Sequence, residues 1–323
     1  MAYYLGIDGG GTKTRCVLAD ETTVFAKAMT GGCSVIRHGE QQAREALHGA
    51  IRQVCAAAKI SPERVSAICI GITGAARPEI AAKIRGILAE LVPEAFTRVE
   101  VVGDTVIALE AAFGTGPGVI AIAGTGSIAY GRDAAGKIAR AGGWGFAISD
   151  EGSGHWIGCR AVSAVLNSHD QGSETALSTL VLQAWRISTI DQLVQQANST
   201  PPPDFPRLFA VVLRAADEGD VIARDLLLEA GAKLAGLAAL VVRRLASHGS
   251  ARQNAAALPA ARLPVATTGS VFRQSSEVRQ VFYNALQQEF PGIEVCHDPA
   301  DPVEGALARA RAGASPSQAA DSR

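Results

Sequence analysis

The segment Asp8-Gly9-Gly10-Gly11-Thr12-Lys13-Thr14 follows directly on an apolar run that begins at Tyr3, and it decides how the rest of the chain is interpreted. Glycines let backbone N–H groups approach phosphate oxygens closely, and threonine hydroxyls add further donors. The segment is not a Walker loop, because GxxxxGK[ST] is absent, and it is not a GxGxxG turn that opens a helix. An ordinary tight hairpin is the alternative. We expect the turn to bind phosphates through Gly10, Gly11, Thr12 and Lys13. Asp8, at the end of a strand, would orient a hydrated Mg²⁺ that bridges those phosphates.

A second glycine hairpin opens the other half of the chain. Around the first turn, the runs Arg15–Ala19 and Thr23–Ala28 read as further strands of a meander. In the second half, the run Val119–Ala123 leads into Gly124-Thr125-Gly126, and Ile128–Arg132 returns. Both turns consist of small residues and carry threonine hydroxyls. Two similar halves, each with a glycine hairpin, predict a nucleotide clamped between two lobes, with Thr125 as a second phosphate contact.

The remaining periodicities alternate between helices and strands. Apolar spacing predicts helices over residues 40–60, 79–91, 105–113, 175–198, 205–216, 220–247, 276–290 and 303–311, and strands over 65–70, 99–102, 265–268 and 293–296. Residues 142–158 are glycine-rich and lead into a further helix that ends at about 166. This order predicts a mixed α/β class. We expect two domains, residues 1–115 with a C-terminal helix at about 300–323, and residues 116–299, because 323 residues exceed one core.

Composition narrows the classes of function. With 48% hydrophobic and 19% charged residues, the chain is globular and not disordered. The formal net charge is -1 and no long basic run occurs, so nothing favours a nucleic-acid or anionic-membrane partner. The apolar run Leu234–Val242 is far shorter than the ~20 residues of a spanning helix, and MAYYLGID lacks a signal-peptide pattern. We expect a cytoplasmic protein whose oligomeric state, a homodimer included, is open.

The six cysteines are scattered along the chain without a CxxC pair. Metal and iron–sulfur sites favour clustered ligands, so these thiols are expected to act as small buried hydrophobic residues.

Asp104 is the candidate general base. It follows the strand-like run Val99–Val102 and one glycine, at the start of a predicted helix. A carboxylate at the carboxyl end of a strand projects into a cleft, where it can accept the proton of a hydroxyl that attacks a γ-phosphate. The alternative is an N-cap for a helix that begins at Thr105.

Two further glycine segments suggest ligand contacts. Gly142-Gly143-Trp144-Gly145 lies close to Asp150-Glu151-Gly152-Ser153, and backbone groups and carboxylates of this kind bind polyhydroxylated ligands. The alternative for Trp144 is plain core packing, and His155 and Trp156 are expected to pack the following helix. Gly269, in Gly269-Ser270-Val271-Phe272, would let a flat base lie against the backbone, or would form a simple turn.

Together these motifs resemble the N-acetylglucosamine kinase and BadF/BadG/BcrA/BcrD-type ATPase family, within the actin, hexokinase and heat-shock chaperone superfamily. The resemblance covers nearly the whole chain and rests on DGGGTKT, GDTVIAL, AGTGS, GGWGFAISDEGSGHWIG and TTGSVF, in that order. It implies a two-lobed actin-like ATPase fold, related to ribonuclease H, with nucleotide and sugar in the cleft between the lobes. The implied roles are phosphate contacts for Thr12 and Thr125, the adenosine pocket for Gly269 and Ala216, the base for Asp104, and sugar contacts for Ser127, Gly143, Trp144, Gly145 and Asp150.

The resemblance implies an ATP- and Mg-dependent kinase that phosphorylates the 6-hydroxyl of N-acetylglucosamine or a close amino sugar. Ser34 stands where the family often has a sugar-contacting Asn, and Ser149 replaces a usual Gly. These departures leave glucosamine and N-acetylmuramic acid, or its anhydro form, open as substrates. An ATPase subunit that energises a dehydratase or reductase is the rival of a different class, and an inactive sugar-sensing regulator is the third.

Overall fold

The computed structural model describes residues 1–75, 77–92, 98–247, 262–296 and 298–313. The described residues fall into two compact units, one of Met1–Thr115 with the chain from Ala300 onward, and one of Gly116–Pro299. The part of the expected C-terminal helix beyond residue 313 lies outside the described residues. In the described ranges, no helix has the length and apolar character needed to span a membrane.

Within the described residues, nine strands form two sheets, one in each unit. They are β1 (Tyr3–Gly9), β2 (Lys13–Ala19), β3 (Val24–Gly31), β4 (Val65–Ile72), β5 (Val99–Val102), β6 (Gly118–Ala123), β7 (Ser127–Arg132), β8 (Ile138–Gly142) and β9 (Val265–Thr268). The first sheet has the order β3-β2-β1-β4-β5, and the second has the order β8-β7-β6-β9. In each, an antiparallel meander passes into a parallel pair, β1 with β4 and β6 with β9. The predicted duplication of a glycine hairpin is therefore present in the strand topology.

The described residues form eleven α-helices, of which some lie on the sheets and others pack on neighbouring helices. They are α1 (Val35–Ala58), α2 (Pro78–Ala89), α3 (Asp104–Phe113), α4 (Gly154–Asp170), α5 (Ala176–Trp185), α6 (Ile190–Ala197), α7 (Leu208–Asp217), α8 (Val221–Ser247), α9 (Ser270–Gln274), α10 (Ser276–Glu289) and α11 (Pro302–Gly313). Helix α1 contains one non-helical residue, Gly39, with φ 81°. The mixed α/β class with two sheets is confirmed.

Helix α11 completes the first unit although it follows the second unit in the chain. Its Val303, Ala306 and Leu307 share a buried cluster with strand residues and with Ile107 of α3. The approach is close, because a β-carbon added at Gly6 would come 2.5 Å from the backbone nitrogen of Leu307. Glycine at this position lets the helix lie directly on β1.

Two predicted elements differ from the structure, and one observed strand was not predicted. The predicted helix over 175–198 is two helices, α5 and α6, because Arg186 takes a left-handed φ of 56° and Thr189 caps α6, accepting from Gln192 N at 3.2 Å. The predicted strand over 293–296 makes one isolated bridge, between Val265 and Val295. Strand β8 was not predicted; its exposed Ile138 and Arg140 obscure the pattern, and it is held by backbone pairing with β7.

Candidate functional site

The parallel strands of the first sheet bring Asp8, Thr73 and Asp104 to the same edge of the sheet. Asp8 pairs with Gly71 near the end of β4, and Gly71 pairs with Val102 at the end of β5. Thr73 follows β4 and Asp104 follows β5. The carboxyl ends of parallel strands are where α/β proteins place ligands.

The Asp104 carboxylate is fixed by two hydrogen bonds. The Thr73 hydroxyl donates to Asp104 Oδ2 at 2.7 Å, and the backbone N–H of Thr105 donates to Oδ1 at 3.0 Å. Gly103 is the N-cap residue of α3, so the alternative reading of Asp104 as the N-cap is wrong; Asp104 is the first helical residue. Its negative charge lies at the positive end of the helix dipole. A half-buried carboxylate that is held in place and still reaches solvent can accept a proton from a ligand hydroxyl.

Sequence reasoning did not identify Thr73. Its position gives the same signal as that of Asp104, a polar residue immediately beyond a buried strand, but a threonine in Gly-Ile-Thr-Gly is common in ordinary turns. The register between β4 and β5 places it beside Asp104.

The DGGGTKT turn is bound to the segment that precedes α1. Gly10 N donates to Lys13 O at 2.9 Å within the turn, and Cys33 N donates to Gly10 O at 3.2 Å. His38 Nε2 lies 2.5 Å from Gly11 O, so this nitrogen carries the proton and donates. No motif or spacing in the sequence links His38 to this turn. These hydrogen bonds hold the carbonyl groups of Gly10, Gly11 and Lys13 in place and so fix the backbone of the turn.

Ser34 lies beside this connection. It precedes α1, is 6% exposed, and its carbonyl accepts from His38 N at 2.9 Å. Ser34, which departs from the family pattern, therefore bonds to His38, the residue that also contacts the DGGGTKT turn.

Asp8 has a cationic neighbour. Its Oδ2 lies 3.7 Å from Arg15 Nε, and Arg15 also pairs with Asp301. Among the residues that the structure describes, no cluster of three or more His, Cys, Asp or Glu side chains could hold a metal. The oxygen of Asp8 suits Mg²⁺, which is commonly bound by one or two carboxylates together with substrate phosphates.

In the second unit, the Gly124–Ser127 turn rests on the N-terminus of α4. Gly154 N donates to Gly124 O at 2.8 Å, and His155 N donates to Thr125 O at 3.2 Å. Helix N-terminal N–H groups thereby satisfy the carbonyls of the turn and fix its backbone.

Gly269 lies directly against the same hairpin. Strands β6 and β9 pair as far as Ile122 and Thr268. Gly269 has φ 106°, and a β-carbon added there would overlap the carbonyl of Ala123. The predicted second phosphate turn and the predicted adenosine residue are therefore neighbours.

Asp150 is the buried acid of this group. It is 7% exposed and has φ 72°, unusual for a residue with a side chain. Burial raises its pKa above the ordinary range; the N–H groups of Ser127 and Gly145 oppose the rise, and the charge of Glu151 adds to it. A β-carbon added at Gly126 would come 2.8 Å from Asp150 Oδ2, so the turn accommodates the carboxylate only because it has glycine there.

Trp144 does not pack in the core, so that alternative is wrong. The side chain is 66% exposed, and the Arg140 guanidinium lies 4.2 Å from its ring centroid. The flanking Gly143 and Gly145 have φ values of 69° and 103°. Ala216, by contrast, is 4% exposed within the hydrophobic core of the second unit.

Comparisons with known proteins agree with this picture. The family model described as "BadF/BadG/BcrA/BcrD ATPase family" matches residues 5–310. A protein of Clostridium acetobutylicum named N-acetylmuramic acid/N-acetylglucosamine kinase is 30% identical over 315 residues, covering 96% of this chain and 99% of the relative. The N-acetyl-D-glucosamine kinase of Dictyostelium discoideum is 28% identical over 94% of this chain and 96% of its own.

A solved structure from Chromobacterium violaceum, described as a candidate N-acetylglucosamine kinase, superposes with a TM-score of 0.72 at 27% identity. The match covers 96% of this chain and 99% of that one. Since the family model spans nearly the whole sequence and includes all five motifs, the chain belongs to the BadF/BadG/BcrA/BcrD ATPase family, as its motifs predicted.

Proposed function

We propose that this protein is an ATP-dependent amino-sugar kinase that transfers the γ-phosphate to the 6-hydroxyl of N-acetylglucosamine or a related sugar. The observation that carries the proposal is the Asp104 carboxylate, oriented by Thr73 and Thr105 at the sheet edge that also holds Asp8. The names of the relatives supply the substrate class.

In the proposed reaction, Asp104 accepts the proton of the sugar 6-hydroxyl while that oxygen bonds to the γ-phosphorus. The bond from the γ-phosphorus to the bridging oxygen breaks, and ADP leaves. Thr73 keeps the carboxylate turned for this task through its 2.7 Å hydrogen bond. Phosphates would be held by the backbone of residues 10–13 and by Thr125, and adenosine by Gly269.

Mg²⁺ would arrive with ATP and neutralise charge on the phosphates, with Asp8 orienting its water shell. The nearby Arg15 lowers the affinity of Asp8 for a free cation, which supports metal entry together with the nucleotide.

The residues that would contact the sugar are Ser34, Ser127, Gly143, Trp144, Gly145 and Asp150. An exposed indole offers a flat apolar face to a sugar ring, and the left-handed glycines on either side present backbone groups. The carboxylate of Asp150 can accept hydrogen bonds from sugar hydroxyls.

The cysteines support the alternative function, an ATPase that activates a dehydratase, less well than they support a kinase. Four of the six cysteines, Cys16, Cys33, Cys55 and Cys69, are buried. Their burial raises the thiol pKa values, to about 11 for Cys33 and Cys55, which disfavours thiolate ligation. Anaerobic purification followed by iron analysis separates the two readings, since stoichiometric iron would favour the activator.

The direct test is ADP release with four sugars at equal concentration: glucose, glucosamine, N-acetylglucosamine and N-acetylmuramic acid. We expect N-acetylglucosamine to exceed glucose in kcat/KM by about 5–150-fold. Glucose lacks the acetamido group, so it leaves the polar groups of the site that pair with that group unpaired, at a cost of about 1–3 kcal/mol per group. Equal values for glucose and N-acetylglucosamine would remove the amino-sugar assignment.

Asp150→Asn should make the melting temperature less dependent on pH and should lower the activity. A carboxyl whose folded pKa is raised binds more protons folded than unfolded between about pH 3.9 and that raised value, so stability falls as pH rises through this window. The amide does not ionise, so the variant should keep its melting temperature between pH 4 and pH 7 better than the wild type. Loss of a charged hydrogen-bond partner should lower kcat/KM for the sugar about 10–100-fold.

The control for that experiment is Asp225→Asn, an exposed position on α8. It should change neither the pH profile of the melting temperature nor the kinetics. A wild-type profile in Asp150→Asn would show that this carboxyl is not the source of the pH dependence.

Ser34→Asn should change sugar preference. Serine is shorter than asparagine, so at this buried position it would leave more room for a 3-substituent such as the lactyl group of N-acetylmuramic acid. We expect the variant to raise the ratio of kcat/KM for N-acetylglucosamine to kcat/KM for N-acetylmuramic acid by about tenfold, which corresponds to roughly one hydrogen bond. The ratio of the two kcat/KM values measures this, and Ser34→Ala is the matched control for loss of the hydroxyl alone. An unchanged ratio in Ser34→Asn would place residue 34 away from the substrate.

A further inference from the structure

Two successive peptide groups of the DGGGTKT turn have their carbonyls directed at the same segment, residues 32–38. Gly10 O accepts a hydrogen bond from Cys33 N at 3.2 Å. Gly11 O accepts one from His38 Nε2 at 2.5 Å. The first donor is backbone and the second is a side chain. Substitution of His38 can therefore remove one of the two bonds and leave the other in place.

The approach of the imidazole to the turn depends on glycine at position 32. Gly32 is buried, and an added β-carbon would lie 2.4 Å from Gly11 O and 2.9 Å from His38 Nε2. A side chain there would push the Gly11 carbonyl away from the imidazole. The neighbouring Gly31 has no such contact, because nothing lies within 4 Å of a β-carbon added to it.

The two held carbonyls decide where the neighbouring N–H groups point. The peptide groups between Gly10 and Gly11 and between Gly11 and Thr12 are trans. In a trans peptide group the C=O and the N–H point in opposite directions. The N–H groups of Gly11 and Thr12 therefore both point away from residues 32–38. Successive N–H groups that face one side of a turn form an anion-binding concavity.

The charges around the turn also suit an anion. The guanidinium of Arg37 lies beside Gly11, since an added β-carbon there would be 3.6 Å from Arg37 Nη1. Lys13 belongs to the turn itself, and both cationic residues are exposed. The carboxylate of Asp8 lies 3.7 Å from Arg15 Nε, which offsets its negative charge. Cationic side chains and backbone N–H groups together favour phosphate oxygens.

We propose that His38 is a positioning residue for phosphate binding, which holds the Gly11 carbonyl so that the N–H groups of Gly11 and Thr12 face the nucleotide phosphates. This inference rests on the proposed function, which assigns the phosphates to this turn. Without the imidazole, the peptide group between Gly11 and Thr12 loses its side-chain restraint. The apparent affinity for nucleotide then falls in proportion to the fraction of molecules whose turn keeps the binding arrangement.

The test compares two histidines of α1 that each bond a backbone carbonyl. His38→Leu removes the donor to Gly11 O, and His48→Leu removes the 2.8 Å bond from His48 Nε2 to Ile87 O on α2. The readout is the dissociation constant of Mg-AMPPNP, a non-hydrolysable ATP analogue, by isothermal titration calorimetry, with a thermal melt of each variant. We expect His38→Leu to weaken binding about three- to tenfold, the usual effect of one lost hydrogen bond, and His48→Leu to change it less than about twofold.

His38→Gln is the conservative variant, because the amide nitrogen of glutamine can donate to the same carbonyl. It should bind Mg-AMPPNP within about twofold of the wild type. Glutamine that binds as weakly as leucine would overturn the proposal, since the donor would then not be what matters. Leucine variants at 38 and 48 that share one affinity would also overturn it, because His38 would then serve stability alone.

The wild type separates this inference from the proposed function. A wild-type protein that does not bind Mg-AMPPNP would remove the proposed nucleotide site and the role of His38 with it. Wild-type binding that His38→Leu leaves unchanged would remove only the role of His38.

Gly32→Ala breaks the same contact while the imidazole stays, so the test does not depend on the folding of His38→Leu. The new β-carbon must displace Gly11 O, and we expect Mg-AMPPNP binding to weaken about three- to tenfold again. Gly31→Ala is the matched control, and its affinity should stay within about twofold of the wild type. Equal affinities for the two alanine variants would show that phosphate binding does not need the bond from His38 to Gly11, and would overturn the proposal.

Discussion

Asp104→Asn is expected to lower kcat for sugar phosphorylation by about 10²–10⁴, the usual contribution of a positioned general base. Asparagine has nearly the same shape and can still accept from Thr73 or from Thr105 N, so α3 should begin as before. What it loses is the capacity to take up a proton as the hydroxyl attacks. KM for the sugar should change much less than kcat, because the interaction is made in the transition state.

The measurement is steady-state ADP release with N-acetylglucosamine, accompanied by circular dichroism and a thermal melt. Asp225→Asn removes the same charge from an exposed position of α8 and should retain full activity. If correctly folded Asp104→Asn turned over at near wild-type rates, the base would have to be another group.

Gly269→Ala is the change with the largest expected effect on stability. The residue has φ 106°, ψ 167°, a conformation nearly confined to glycine, and its new β-carbon would overlap the carbonyl of Ala123. Backbone strain and the displacement of the β6 turn together should cost about 3 kcal/mol or more. For a unit of this size, that loss corresponds to a fall in melting temperature of roughly 6–12 °C.

Gly236→Ala is the matched control, because it makes the same substitution in the same unit. Gly236 is exposed on α8, and nothing lies within 4 Å of an added β-carbon. Alanine there should stabilise the helix by about 0.5–1 kcal/mol. Opposite signs for the two variants in scanning calorimetry would support the packing argument, whereas equal melting temperatures would contradict it.

The parts of the fold that sequence reasoning found are those whose signal is local. The strands on either side of the DGGGTKT turn are short apolar runs with glycine at their ends, and both hairpins were located on that basis. Strand β8 and the break at Arg186 were missed because their causes are backbone pairing with β7 and a left-handed residue, neither of which changes the apolar pattern.

The candidate site shows the same division. Asp104 and Asp150 could be proposed from their positions after a strand and in a glycine-rich motif. The contact of Thr73 with Asp104 depends on the register of two parallel strands, and the bond from His38 to Gly11 joins residues distant in sequence. Such long-range contacts are decided by tertiary packing, which a single sequence does not display.

The position of α11 in the chain has a consequence for biosynthesis. The ribosome completes residues 1–115 long before it reaches 300, so Tyr4, Val17 and Ile107 emerge without the helix that buries them. The second unit is one continuous segment and can finish folding while its predecessor still exposes an apolar face. We expect nascent chains arrested with residue 299 outside the exit tunnel to resist brief proteolysis over 116–247 and 262–296 and to be cut within 1–115. Uniform resistance would show that the early segment folds without its last helix.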